Sequence, residues 1–205
     1  MVWSMGFDDG FKVTIGMREL DGDLRKVEYV DATPDWPGVG GGFEPGDLEL
    51  GRAIKPDHLP TRVQWDGPKR SGVPETLRGR QMMLVNDRFK DVIERFEPGI
   101  HQFFPLDLVW KDKTLAQKMH MFNICSRLST TDRSLSTAEM SRGGMLEPSS
   151  GSIIFNLTQI GSHHIWIDKH MYAGVYVSDA LHDALIEAKI TGLAFSRRAS
   201  TGDQQ

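Results

Sequence analysis

The stretch from Asn86 to Trp110 restricts the fold more than any other part of this sequence, because it specifies a helix, a stop and a strand in succession. Asn86 belongs to the residue types that cap helix N-termini, and Asp87 adds a negative charge to the first turn, where the helix dipole favours it. Apolar residues follow at the i, i+3, i+4, i+7 spacing of one helix face, at Phe89, Val92, Ile93 and Phe96. The sequence therefore predicts an amphipathic helix over about residues 87–96.

A strand is predicted directly after this helix. Pro98-Gly99 ends the helix, since neither residue continues it well. Beyond it, apolar side chains alternate with other residues and define one strand face, at Phe104, Leu106, Leu108 and Trp110. Pro105 interrupts this pattern, and a proline in a strand indicates either an edge position or a bulge.

A second helix with the same design lies near the C-terminus. Ser178 is its capping residue, and the apolar face repeats at Leu181, Ala184, Leu185 and Ala188. Thr191-Gly192 ends this unit, so the helix is expected over about residues 179–189. The 21 glycines exceed the usual share of roughly 7%. We predict an α+β, loop-rich fold in which these two helices pack on a mainly antiparallel sheet.

The N-terminal residues suggest a β-hairpin. Phe11, Val13, Ile15 and Met17 alternate with polar or small residues before Asp21-Gly22-Asp23, and Val27 and Tyr29 alternate after it. A three-residue connection pairs apolar residues with each other, Met17 with Val27 and Ile15 with Tyr29. The expectation is a hairpin within residues 1–31.

Residues 32–79 have no regular pattern. Prolines recur through this segment, and the glycine-rich run 38–42 has neither the preceding strand nor the following helix of a dinucleotide-binding loop. The chain is therefore divided into three parts. Residues 1–79 hold the hairpin and the irregular segment, residues 80–196 form the α+β core, and residues 197–205 form a flexible tail without an apolar anchor.

Charge and composition argue against several classes of partner. The net charge is only −4, without the basic stripe that nucleic acids or anionic membranes attract. No stretch approaches the roughly 18 apolar residues of a membrane span, and the first residues lack the pattern of a signal peptide. The single cysteine, Cys125, excludes an internal disulfide and suits a reducing compartment. We expect a cytoplasmic protein that binds neither nucleic acid nor a membrane.

The residues that could perform chemistry do not form a complete site in the sequence. His163 and His164 are adjacent, so in a strand they point to opposite faces, and with His170 they lack the spacing of a metal site. Cys125 and His120 lie five positions apart, which again places them on opposite strand faces. We expect no catalytic, cofactor-binding or metal-binding residues.

Several segments of the chain resemble the Imm11 family of immunity proteins, also known as DUF1629, from bacterial polymorphic toxin systems. The resemblance lies in Asp132 and in the segments LVNDRFKDV (84–92), GIHQFFP (99–105), FNICSRL (122–128), YVSDAL (176–181) and TGLAF (191–195). It implies an α+β protein that neutralises a cognate toxin by binding it, with the toxin encoded by the adjacent gene.

The irregular segments are the expected place for partner binding, since loops on a rigid scaffold carry much of protein recognition. We predict docking through residues 35–47 and 129–150, with Trp36, Phe43 and Arg142 as anchors. The alternative for Trp36 and Phe43 is that they pin their loop to the core. Two other functions remain open: a hydrolase that reverses a toxin's modification with His163 or His164 and Asp132, and a regulatory domain that binds a small ligand.

Overall fold

The computed structural model describes residues 1–8, 16–35, 43–67, 69, 72–79, 81–141, 144–171 and 174–204. The strands are β1 (Val2–Phe7), β2 (Met17–Glu19), β3 (Arg62–Trp65), β4 (Thr76–Arg78), β5 (Met83–Val85), β6 (Gln102–Val109), β7 (Leu115–Asn123), β8 (Arg127–Leu128), β9 (Ile165–Asp168), β10 (Val175–Ser178) and β11 (Leu193–Arg198). The helices are α1 (Asp87–Phe96), α2 (Leu157–Ile160) and α3 (Asp179–Glu187).

The strands form two sheets. Sheet A has five strands in the order β11-β1-β10-β9-β8, and sheet B has six in the order β2-β3-β6-β7-β5-β4. Each sheet contains one parallel pair, β8 with β9 and β3 with β6, and the other described pairs are antiparallel. The α+β class with mainly antiparallel pairing is confirmed, and the strands divide between two sheets instead of lying in one.

Both predicted helices are confirmed, together with their caps. The side chain of Asn86 accepts a hydrogen bond from the backbone N–H of Phe89 at 3.1 Å, and that of Ser178 accepts one from Leu181 at 3.2 Å. Each cap satisfies an N–H group that the helix itself leaves unpaired. Within the residues that the structure describes, no helix has the length and apolar composition needed to cross a membrane.

A central core lies between the two sheets and includes both long helices. Its buried residues come from α1, from α3 and from the facing strands of each sheet, and they include Met5, Met83, Val85, Phe89, Val92, Ile93, Phe122, Ile165, Val177, Leu181 and Leu185. Apolar burial of this kind is the main favourable contribution to folding. The two helices therefore hold the sheets together from within.

The outer face of each sheet is covered by an irregular segment. The described residues of the segment 24–59, here named the sheet B cover, pack apolar side chains on the outer face of sheet B, among them Leu24, Val27, Tyr29, Phe43 and Ile54. The described residues of the segment 129–160, here named the sheet A cover, do the same on sheet A through Leu146, Phe155 and Ile160. The segments without a periodic pattern thus complete two further apolar clusters.

The predicted N-terminal hairpin is wrong. Met17 pairs with Trp65 of β3 and not with Val27, and the stretch 9–15 with its expected strand lies outside the described residues. The aspartate side chains of the turn explain why Met17 pairs with β3 and not with Val27. Asp21 accepts hydrogen bonds from the backbone of Thr61 at 2.8 Å and of Arg62 at 3.1 Å, which ties the turn to β3.

The continuation of the chain beyond this turn is helical and not extended. Asp23 accepts a hydrogen bond from the backbone of Arg25 and caps a 3₁₀ turn at Leu24–Lys26. This turn directs the following apolar residues into the sheet B cover, where Tyr29 forms an isolated bridge with Ile54. Alternation alone could not distinguish this arrangement from a hairpin, because both bury the same side chains.

Both sheets cross the predicted boundary at residue 79. The strand β1, which the sequence pattern did not reveal, pairs with β10 and β11, and β3 pairs with β6. At the other end, β11 extends into the predicted tail, where Ala199 accepts a hydrogen bond from Phe155 at 2.9 Å and a 3₁₀ turn spans Thr201–Gln204. The three-part division and the flexibility of the tail stay predictions.

Substitution of Met5 tests the place of β1 in the central core. Met5 is buried there, so Met5→Ala should lower the free energy of unfolding by about 2–5 kcal/mol. Gly6→Ala on the same strand is the control, because the nearest atom to an added Cβ is 3.9 Å away and the change should be small. Urea denaturation of both variants measures the difference. Equal effects would contradict the placement of β1.

Candidate partner-binding surface

The two segments that were expected to bind a partner belong to the two covers, and Arg127 of β8 joins them. The first segment, 35–47, is described at residue 35 and over 43–47, and these described residues belong to the sheet B cover. The second, 129–150, begins directly after β8 at the edge of sheet A. The structure therefore brings Asp35, at the start of the first segment, to Arg127, two positions before the second, although the two residues are 92 positions apart in the sequence.

Arg127 is a buried cation with partners on the sheet B cover. Its side chain is 4% exposed, and its Nε donates to the two carboxylate oxygens of Asp35 at 2.9 and 3.1 Å. Its Nη1 donates to the carbonyl oxygen of Leu50 at 3.0 Å. Because a buried charge is tolerated only when it is paired and hydrogen-bonded, these contacts fix the sheet B cover against the edge of sheet A.

Phe43, one of the three predicted anchors, is 7% exposed and lies beneath this junction. Its ring packs edge-on against Tyr29 at 5.0 Å between centroids, and the guanidinium of Arg52 lies 4.3 Å above it. The guanidinium of Arg127 is 5.3 Å from the same ring. The structure thus supports the alternative in which Phe43 pins its loop to the core, and a direct contact of its ring with a partner stays a prediction.

The other two predicted anchors, Trp36 and Arg142, lie outside the described residues. Their neighbours in the sequence are placed. Asp35 forms the ion pair with Arg127, and Ser141 accepts a hydrogen bond from the backbone of Gly144 at 3.0 Å. The roles of Trp36 and Arg142 in binding stay predictions.

Two amide side chains of sheet B hold the sheet B cover in register. Gln102 accepts a hydrogen bond from the backbone N–H of Ile54 at 2.9 Å and donates to its carbonyl oxygen at 3.0 Å. Asn123 donates to the carbonyl oxygen of Arg52 at 2.8 Å. No local pattern in the sequence signals these contacts, because each joins residues at least 48 positions apart.

The sheet A cover is held by a buried carboxylate. Asp168 accepts hydrogen bonds from the backbone N–H and hydroxyl of Thr130, both at 2.7 Å, from the N–H of Thr131 at 3.0 Å and from that of His170 at 2.7 Å. Hydrogen bonds to a charged acceptor are stronger than those between neutral groups. The beginning of the 129–150 segment is therefore fixed to the outer face of sheet A.

His170 extends this network towards the surface. Burial lowers the pKa of His170. The nearby cations Arg133 and Lys169 lower it further, whereas the carboxylate of Asp168 raises it. A neutral ring accepts the hydrogen bond from Arg133 at Nδ1, 3.0 Å away, and its Nε2 then donates to the hydroxyl of Ser129 at 2.9 Å. Arg133 is thereby oriented at the surface.

Apolar side chains are exposed on both covers. Leu135 is 40% exposed and Met140 is 47% exposed in the sheet A cover, and Val30 is exposed in the sheet B cover beside the Asp31–Arg52 ion pair. Methionine and arginine are enriched in protein interfaces relative to the rest of the surface. We name Val30, Asp31, Asp35, Arg52, Arg133, Leu135 and Met140 the candidate partner surface.

The arrangement considered for a hydrolase is not the one observed. Asp132 accepts hydrogen bonds from the hydroxyl and backbone N–H of Ser134 and from the side chain of Asn156, at 2.7 to 3.0 Å, and the Ser134 bond holds its pKa low. His164 bonds through Nδ1 to the hydroxyl of Ser178 at 2.8 Å. Asp132 therefore shapes a turn, and the histidine pairs with a helix cap.

The histidines of this region instead contact the carboxylate of Glu97, directly after α1. This carboxylate lies 2.5 Å from Nε2 of His101 and 3.3 Å from Nδ1 of His163, and it accepts the backbone N–H of His164 at 2.9 Å. Burial favours the neutral acid, but the hydrogen bonds from His101 and His164 outweigh it and lower the pKa of Glu97. This network connects α1 with the start of β9 and so joins the two sheets.

In the part of the chain that the structure describes, the side chains are not arranged as a metal site or as an activated thiol. There, no three metal-ligating side chains are arranged to hold an ion. Burial raises the pKa of the Cys125 thiol to about 11, and His120 pairs with Asp87 at 2.7 Å and not with the thiol. The thiol is therefore mainly protonated at neutral pH, whereas the thiolate is the nucleophilic form.

Comparison with known proteins identifies one family. The family model described as Immunity protein family (Imm11) matches residues 23–200. The match includes both covers, both long helices and most strands of the two sheets, and it extends well beyond the segments 84–195 in which the resemblance was seen. No curated protein matches the chain.

The ionised state of Glu97 should make its contribution to stability depend on pH. Because its pKa in the folded protein lies below the ordinary value of 4.5, the stabilisation is fully present above about pH 4.5 and is lost as the pH falls through the lowered pKa. Urea denaturation at a series of pH values should show that the difference between wild type and Glu97→Gln shrinks on acidification. Glu147→Gln, at an exposed site, should show no such change. A constant difference for Glu97→Gln would contradict this role.

Proposed function

The chain belongs to the Imm11 immunity protein family, and on this premise we propose that it binds and neutralises a cognate bacterial toxin in the cytoplasm. We take the toxin to be the product of the adjacent gene. The family assignment supports an immunity function, and the candidate partner surface supports direct binding as its mechanism.

The observation on which this proposal rests is the junction at Arg127. Its contacts with Asp35 and Leu50 hold the sheet B cover beside β8, from which the sheet A cover begins. The start of the sheet A cover is therefore fixed beside Asp35 and Leu50 of the sheet B cover. Such pre-organisation favours binding, because less conformational entropy is lost when the partner docks.

Binding is favoured over catalysis by the state of the candidate chemical groups. The carboxylate of Asp132 is used by its own turn, and Glu97 is enclosed by His101 and the start of β9. A general base must reach the proton that it abstracts, and a nucleophile needs a base beside it. These polar groups have structural roles in the fold. The exposure of the apolar side chains of Leu135 and Met140 serves no such role.

Charge substitution at the exposed apolar residues should abolish protection. Leu135→Asp with Met140→Asp places two charges where an apolar interface excludes water, so growth should no longer be rescued when the variant is co-expressed with the adjacent gene's toxin. Ile186→Asp, at an exposed apolar residue of α3, is the matched control and should rescue like wild type. Unchanged thermal unfolding of all variants would exclude a folding defect. Full rescue by the double variant would contradict this surface.

A comparison of stability with affinity distinguishes residues that contact the toxin from residues that pack in the core. Trp36→Ala and Arg142→Ala should each raise the dissociation constant for the purified toxin by about tenfold or more without lowering the melting temperature, as interface anchors do. Phe43→Ala should lower the melting temperature, because its ring is buried between Tyr29 and Arg52. Calorimetric titration and thermal unfolding measure the two effects. Unchanged affinity for both anchor variants would remove Trp36 and Arg142 from the site.

A further inference from the structure

A cavity of about 340 Å³ lies on the outer face of sheet A, where the sheet A cover approaches β1, β10 and β11. This volume falls within the roughly 300–1,000 Å³ of sites that bind small molecules. Pro148 and residues 151–153 line it from the cover, and the end of β11 lines it from the sheet. None of the residues in the candidate partner surface lines it.

One side of the cavity is apolar. Phe155 and Met171 are buried members of the apolar cluster on this face, and Ile153 packs against the same cluster. Ligand sites commonly combine a wall of this kind with a few convergent polar groups. An aromatic or short aliphatic group would therefore remove apolar surface from water here.

The opposite side carries positive charge. Arg197 and Arg198 line the cavity, and no acidic side chain does so among the described residues. Arg197 is paired with Asp203, which leaves Arg198 as the principal cation. The Nε of Arg198 donates to the hydroxyl of Ser4 at 3.0 Å, and Ser4 donates to the carbonyl oxygen of Ser196 at 3.3 Å.

These contacts orient the guanidinium and leave its outer part free for an anion. Within the described residues, the two terminal amino groups of Arg198 make no hydrogen bond, since only its Nε is used. A guanidinium presents paired N–H groups that match a carboxylate or a phosphate in geometry. Arg198 is thus set up to bind an anionic group from the side of the cavity.

Tyr176 adds a neutral donor to the same cavity. The residue is 4% exposed and lines the cavity, and its hydroxyl makes no hydrogen bond within the described part of the chain. Burial raises its pKa to about 12, with Asp168 acting in the same direction and Arg198 in the opposite one, so the hydroxyl is protonated at neutral pH. A Cβ at position 174 would lie 3.0 Å from this hydroxyl, so a residue larger than Gly174 would crowd it.

We propose that this cavity binds a small amphipathic anion, a molecule that joins a carboxylate or phosphate group to an aromatic or short aliphatic part. Arg198 and Tyr176 bind the anionic group, and Ile153, Phe155 and Met171 contact the apolar part. This site is separate from the candidate partner surface, so its occupancy does not require toxin binding.

Calorimetric titration with matched probes tests the site. Phenyl phosphate or benzoate should bind the wild-type protein at least about tenfold more tightly than benzyl alcohol, which has the ring without the charge. Inorganic phosphate should bind more weakly than phenyl phosphate, because it lacks the apolar part. Preference for one of the two aromatic anions identifies the head group that the site accepts.

Two variants locate the binding. Arg198→Gln should weaken binding of the aromatic anion by about tenfold or more. Tyr176→Phe keeps the ring that packs in the core and should weaken binding severalfold. Arg95→Gln, at an exposed arginine of α1, controls for general loss of positive charge and should bind like wild type. Absence of binding by both anions, equal binding of benzyl alcohol, or equal affinity of the Arg198 and Arg95 variants would overturn the proposal.

Discussion

Burial of the apolar faces of α1 and α3 between two sheets is the constraint on which the rest of this structure depends. Phe89 and Leu181 are fully buried there, against strands of both sheets. A helix pair can hold two sheets in this way only if each sheet turns one apolar face inward. Each sheet then has an opposite face that also needs cover, because an exposed apolar sheet face is unfavourable in water.

The covers follow from this requirement. They consist of irregular chain, so their backbone polar groups cannot all be satisfied by ladders and need side-chain partners. Gln102, Asn123, Asp168 and Arg127 supply such partners from the sheets beneath. The result is a pair of segments with a fixed base and an exposed outer part, and this combination suits recognition of another protein.

The two sites proposed here use different parts of the same cover. Leu135 and Met140 are exposed in the first half of the sheet A cover, whereas Pro148 and residues 151–153 border the proposed anion-binding cavity in the second half. Asp168 holds the beginning of the segment, and Phe155 anchors its end through bridges to Thr131 and Ser200. A ligand in the cavity and a partner on the surface would therefore contact one segment at two places.

The sequence by itself determined the local elements: both amphipathic helices with their Asn86 and Ser178 caps, the apolar strand face that includes Leu106 and Leu108, and the family. These depend on periodicity and capping, which act between residues a few positions apart. The tertiary structure alone decided which strands pair, where β1 belongs, and that Arg127 meets Asp35, 92 residues away. Apolar alternation near Met17 fits a hairpin and a strand beside Trp65 equally well. The alternation predicts that one face of the strand is buried, but it does not identify the strand with which it pairs. The choice among such partners is made by the whole core, so the surface built on those pairings appears only in the folded chain.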